Sequence, residues 1–142
     1  PKYIDDPSKA SSWREFFRYL GVKEEVGTEI IERFAEWFVE GRLASRGYRV
    51  VSKGGEGYDI QVIKNGGEVY VEVKGTRGKE PTDVKLTESQ SQMAHKYGER
   101  FWLVVVAEIP NNPRAFLLKD PARYGTEIVI PSANLKEHGE EL

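Results

Sequence analysis

Asp59, Glu72 and Lys74 are the residues whose types and spacing could do chemistry. They lie in the run Gly57 to Gly75, GYDIQVIKNGGEVYVEVKG, where two alternating segments flank Asn65-Gly66. Asn-Gly is a strong hairpin signal, because both central residues of a type I′ turn need positive φ. With Asn65 and Gly66 in the turn, Lys64 pairs with Gly67 and Asp59 falls opposite Glu72. Alternation then sends Asp59, Gln61, Tyr70, Glu72 and Lys74 to one face and Tyr58, Ile60, Val62, Val69, Val71 and Val73 to the other. Opposed side chains have Cβ atoms about 5 Å apart, and like charges there repel. A hard divalent cation turns that repulsion into attraction, since Mg²⁺ takes oxygen ligands and typically uses one or two carboxylates. The alternative is an ordinary amphipathic hairpin whose polar face meets water, with Lys74 screening the acids. A three-residue loop or a bulge would shift the register and could move Asp59 to the other face.

The elements around the hairpin must position these groups. A helix is expected from about Thr28 to Arg46, with Thr28 a candidate N-cap and Gly47 closing it. Ile30, Phe34, Trp37, Phe38 and Ala44 form its apolar stripe, and Glu29, Glu32, Glu36 and Glu40 line another side that reads as a solvated acidic face. Tyr48 to Lys53 reads as a short strand broken by Gly54-Gly55. After Lys74 a glycine-bearing loop, Gly75 to Lys85, carries Arg77, Lys79 and Lys85, suited equally to phosphate contact and to a plain solvated surface. Thr87-x-x-Gln90 is a capping box opening a helix to about Tyr97. His95 has no partner at metal-ligand or triad spacing and reads as a surface histidine. Phe101 to Ala107 is apolar on both faces, as in a strand inside a sheet, so hairpin strand, helix and this strand make a parallel βαβ unit. Strands at Arg114 to Lys119 and Glu127 to Ile130 follow, then a polar tail that is a short helix or has no regular structure.

Asp59, twelve residues, then Glu72-Val73-Lys74 resembles the D-x(n)-E-x-K signature of the PD-(D/E)XK, or restriction-endonuclease-like, nucleases. More narrowly, GYDIQV, VYVEVKGT, LTESQSQMA and FWLVVV in that order resemble the C-terminal domain of the plant protein NO VEIN and its microbial relatives, over about Thr28 to Val106. The resemblance implies an α/β fold with an αβββαβ core and a mixed central sheet flanked by helices. It also implies metal-dependent hydrolysis of DNA phosphodiesters. Asp59, Glu72 and the Val73 carbonyl would hold Mg²⁺ or Mn²⁺, and Lys74 would position water or offset developing charge. One first-helix glutamate often faces the site in such nucleases; Ala35-Glu36…Gly47 resembles the pattern that carries it, which favours Glu36, although Glu32 and Glu40 are equally placed on the wheel. A glutamine of the later helix can also approach the site, which brings in Gln90 and Gln92, with Gln90 equally explained by its cap. Arg77, Lys79 and Lys85 would contact the nucleic-acid backbone.

Composition sets the remaining bounds. The 142 residues, 39% hydrophobic, are enough for one core. No apolar run is long enough to span a membrane and no signal pattern opens the chain, so a cytoplasmic location is expected. Cysteine is absent, which excludes disulfides and thiolate metal sites. A net charge of −2 gives no global basic field, so nucleic-acid binding would rest on a local patch. Residues 1–27 read as a separate helical segment, with Trp13, Phe16, Phe17 and Leu20 at helical spacing, the end of a preceding domain, and residues 28–142 as the nuclease-like domain. The expected partners are duplex DNA, ATPase or helicase domains of a longer chain, and a second copy of the chain. Two rivals stand beside the nuclease: a non-catalytic nucleic-acid or partner-binding domain of the same fold, and an interaction domain docking through Trp13, Phe16 and Phe17.

Overall fold

The computed structural model describes residues 27–124 and 129–142. The expected helix with Trp13, Phe16 and Phe17, and Glu127 of the expected last strand, lie outside the described residues.

The chain runs through α1 (Thr28–Ser45), β1 (Arg49–Gly55), β2 (Tyr58–Lys64), β3 (Gly67–Gly75), β4 (Val84–Lys85), α2 (Glu88–Tyr97), β5 (Phe101–Ala107), β6 (Arg114–Lys119), β7 (Val129–Ile130), α3 (Ser132–His138) and β8 (Glu140–Glu141). It is an α/β fold, and its first part follows the expected αβββαβ order in the strands of the main sheet, with the short β4 inserted before α2 and outside that sheet. Among the described residues six strands form one mixed sheet in the order β1-β2-β3-β5-β6-β8, and β4 pairs with β7. β3 and β5 are parallel and the other neighbours antiparallel. The parallel pair is the βαβ unit read from the sequence, and every residue of β5 is buried. Among the described residues no helix is long and apolar enough to cross a membrane.

The sheet divides two cores. On one face α1 packs Ile31, Phe34, Ala35, Val39 and Leu43 against Ile60, Val62, Val71, Val73, Val104 and Val106. On the other, Ala94 of α2 and Leu135 of α3 cover Phe101, Leu103, Val105 and Leu118. The stripe of α1 is thus rotated from the expected one. Leu43 is buried and Ala44 exposed, because the facing sheet selects the i, i+4 row through Ile31, Ala35 and Val39. Gly27, not Thr28, is the N-cap.

The Asn65-Gly66 register holds: Lys64 pairs with Gly67, and the ladder runs to Ile60–Val71. It stops there, so Asp59 and Glu72 do not form the next rung. Tyr58 also departs from expectation, packing with the α2-side core instead of beside Ile60 and Val62. Its partner strand at that end is β1, which continues through Gly54 and Gly55 to the pair Gly55–Tyr58. The two glycines therefore finish a strand instead of breaking one. The turn they lead into carries Gly57 at φ +88°, where a Cβ would stand 2.6 Å from the Ser89 carbonyl oxygen.

Candidate active site

The point where β2 leaves β3 is built around one hydrogen bond. The Val73 N–H, which a continued ladder would give to backbone, donates instead to Asp59 Oδ2 at 2.7 Å. A charge-assisted bond to main chain anchors the carboxylate to a rigid strand. Asp59 is thereby held near both Glu72 of β3 and Glu36 of α1, within hydrogen-bonding reach of each if a proton is shared.

Glu72 is the single buried charged residue among the described residues, 2% exposed. Its two oxygens differ. Oε2 receives Gln90 Nε2 at 2.8 Å and lies 3.1 Å from Lys74 Nζ. Among the described residues Oε1 is buried with no hydrogen-bond partner, apart from the proton that Glu72 and Asp59 can share. Burial, and then the Asp59 charge, push the Glu72 carboxyl up to about 8 despite Lys74. The same two causes push Glu36 up to about 7.

The acids of α1 are not a solvated face. Only Glu29 is exposed; Glu32, Glu36 and Glu40 are half-buried and each meets a different strand. Glu32 Oε1 accepts from Gly75 N at 3.3 Å, Glu36 meets Asp59, and Glu40 Oε1 pairs with Lys53 at 2.8 Å. Burial raises the Glu32 carboxyl, while the Gly75 N–H opposes the rise. Close approach of helix and strand depends on Gly75, whose Cβ would stand 3.0 Å from Ile31 and Ile109 side-chain carbons and 3.1 Å from the Ala35 Cβ.

Gln90 serves both of the roles weighed for it. Its Oε1 accepts from Thr87 N at 2.9 Å and its backbone N–H donates to Thr87 Oγ1 at 3.2 Å, closing the capping box. The box fixes which end of the amide is free, and the NH₂ end meets Glu72. Gln92 is exposed, and so is His95, whose Nδ1 lies 3.1 Å from the Ser91 carbonyl. Arg77 and Lys79 are exposed on the loop after β3, which is tied to the end of β5 by Thr76 N to Val106 O, Ile109 N to Thr76 O and Glu108 N to Gly78 O. Lys85 is exposed on β4 instead of on that loop.

A hard divalent cation suits this donor set. Glu72 stands beside a second carboxylate, Asp59, both offer oxygen ligands, and the Asp59 charge destabilises the ionised form of Glu72 when no cation is bound. Among the described residues no three His, Cys, Asp or Glu side chains make up a ready metal-binding group. Two carboxylates with backbone and water oxygens are nonetheless enough for Mg²⁺.

Sequence reasoning did not assign a role to Tyr70, although it put the residue on the Glu72 face. Its partner on α2, Tyr97, could be found only from the packing of that helix, with ring centroids 4.3 Å apart.

No curated protein matches the chain. The family model described as Protein NO VEIN, C-terminal, matches residues 31–118, more than half of the sequence and every element that builds the site. The chain belongs to the NO VEIN C-terminal domain family.

Proposed function

We propose that this domain is a metal-dependent nuclease of the PD-(D/E)XK type that hydrolyses phosphodiester bonds of DNA, as the nuclease module of a larger restriction or DNA-processing protein. The observation that carries the reading is the buried Glu72 with one unpartnered oxygen, set between Asp59 and Lys74. Burial beside the Asp59 charge makes the ionised form of Glu72 costly, so its proton is held to about pH 8, and a bound cation would remove that cost. The αβββαβ order and the D-x(12)-E-x-K spacing support the superfamily assignment.

Asp59 and Glu72, with the Val73 carbonyl, would hold Mg²⁺ or Mn²⁺. Bound there, such a cation supplies Lewis-acid polarisation of the scissile phosphate and eases ionisation of water. The chain's own groups do the rest. The Val73 N–H keeps Asp59 oriented, and Gln90 keeps Glu72 Oε2 turned towards α2, leaving Oε1 free. Glu36, whose carboxyl holds its proton to about pH 7, accepts or returns a proton beside Asp59. Lys74 is partly exposed, so its ammonium can leave Glu72 for the negative charge that develops on the phosphate. Arg77 and Lys79, with Lys85 further off, would meet backbone phosphates.

The competing reading is a non-catalytic binding domain of the same fold, and it draws on the absence of a three-residue metal group among the described residues. Incubation with linear, circular and single-stranded DNA, with Mg²⁺, with Mn²⁺ and with chelator, separates the two. Metal-dependent cutting is expected; intact DNA in every tube supports the binding domain.

A further inference from the structure

Beyond the rung Ile60–Val71, the edge of β3 that β2 leaves has two more backbone amides to satisfy. Amides two residues apart on a strand point to the same side, so these belong to Val73 and Gly75. The next amide, Thr76 N–H, points the other way and donates to Val106 O of β5 at 2.9 Å. Both amides on the vacated edge end on carboxylates. Val73 N–H meets Asp59 Oδ2 at 2.7 Å, and Gly75 N–H meets Glu32 Oε1 at 3.3 Å. One acid comes from β2 and the other from α1, and together they replace the missing strand.

Lys74 lies between those two amides, and its own rung, on the β5 side, is with Val105. Its backbone is therefore held from both edges of β3. The flexible four-carbon stem of a lysine gains precision only from what fixes its base and its tip. The tip lies 3.1 Å from Glu72 Oε2, and the base is the segment that Asp59 and Glu32 bracket. Helix α1 comes closest to β3 at this level, where a Cβ on Gly75 would touch Ile31 and Ala35. Glu32 is half-buried there: burial raises its carboxyl, and the Gly75 N–H and the Lys74 charge both oppose the rise. Among the acids of α1, Glu32 is thus the one turned to the end of β3, as Glu36 is to Asp59 and Glu40 to Lys53.

We propose that Glu32 is a positioning residue for Lys74: by holding the Gly75 amide it fixes the strand end from which the lysine reaches the Glu72 site. That Lys74 then serves cleavage rests on the nuclease reading above; the positioning itself does not.

The test has two arms. The first needs no DNA: the protein in chelator is acetylated briefly with a water-soluble reagent, and labelling of Lys74 is read by mass spectrometry against the exposed Lys79. Glu32→Ala should speed Lys74 labelling about threefold or more with Lys79 unchanged, and Glu32→Gln, whose amide oxygen accepts the same N–H, should restore the wild-type rate. The second arm is single-turnover cleavage. Glu32→Ala should slow wild type about tenfold, keep the metal-induced rise in melting point, and cost nothing further in a Lys74→Ala background. Lys74 labelling that does not change in Glu32→Ala overturns the proposal. So does an equal slowing of wild type and Lys74→Ala, which a merely structural glutamate would give. Should Glu32→Ala fail to fold, Glu32→Asp, which draws the carboxylate back by one methylene, takes its place in both arms. If wild type does not cut, the nuclease reading falls and the labelling arm alone decides the positioning.

Discussion

Gln90 holds Glu72 with one end of its amide and its own helix with the other. Nε2 lies 2.8 Å from Glu72 Oε2, and Oε1 accepts the Thr87 N–H at 2.9 Å. The start of α2 and the buried carboxylate of β3 are therefore one mechanical unit, and a disturbance of either reaches the other.

Gln90→Glu keeps an oxygen for Thr87 but sets a carboxylate against Glu72, whereas Gln90→Ala loses both bonds. Gln90→Ala should melt lower by the equivalent of about 1 kcal/mol from the lost bond to Thr87 N alone, since the Thr87 side-chain cap stays. Gln90→Glu should be near wild type at pH 6 and clearly less stable at pH 8, where the paired acids ionise. Thermal melts at the two pH values check this; an unchanged Gln90→Glu at pH 8 would mean the bond to Glu72 carries no weight.

Stability without metal should fall as pH rises. Glu72 and Glu36 hold their protons to about pH 8 and about pH 7, above the ordinary 4.5. The folded chain thus binds these protons more tightly than the unfolded one. Their contribution is complete below about pH 4.5 and is lost as pH climbs through about 7 and 8. For the buried Glu72 this is worth a few kcal/mol, at about 1.4 per pKa unit. Melts in chelator should decline from pH 5 to pH 8.5, Glu72→Gln should flatten the decline, and Mg²⁺ or Mn²⁺ should reverse it by favouring the ionised acids. A metal-free melting point that rises over this range would contradict the electrostatics of the site.

Gly57 joins the β1–β2 turn to α2. Its φ of +88° strains any other residue, and an added Cβ would meet the Ser89 carbonyl oxygen at 2.6 Å and Met93 Cγ at 2.7 Å. Gly57→Ala should cost roughly 1–3 kcal/mol and shift the first turn of α2, moving Gln90 off Glu72. A melt shows the first effect. Loss of the Glu72→Gln difference between pH 5 and pH 8.5 in this background would show the second, and a Gly57→Ala variant as stable as wild type would refute both.

The turn chemistry of Asn65-Gly66 was enough to set the β2–β3 register, since a two-residue turn with positive φ leaves little freedom. Uniform apolarity was likewise enough to bury β5 in the sheet. Reading failed where a side chain replaces a backbone partner. Asp59 takes the Val73 N–H, and no alternation of residue types announces that the ladder ends one step earlier. Helical periodicity also left the α1 acids equivalent, because Glu32, Glu36 and Glu40 are told apart only by the strand ends they meet: Gly75, Asp59 and Lys53. Gln90 was legible as a cap from Thr87-x-x-Gln90, but its second bond needed the helix docked on β3.

The most direct test of the nuclease reading is single-turnover cleavage of DNA in saturating Mn²⁺ by wild type, Lys74→Ala and Glu72→Ala, each with its melting point with and without metal. Wild type should cut. Lys74→Ala should keep the metal-induced rise in melting point and lose about 10²–10³ in rate, the usual cost of removing one stabiliser of transition-state charge. Glu72→Ala should lose both the cutting and the rise. Equal trace rates from all three proteins, or the same metal-induced rise in Glu72→Ala as in wild type, would contradict it.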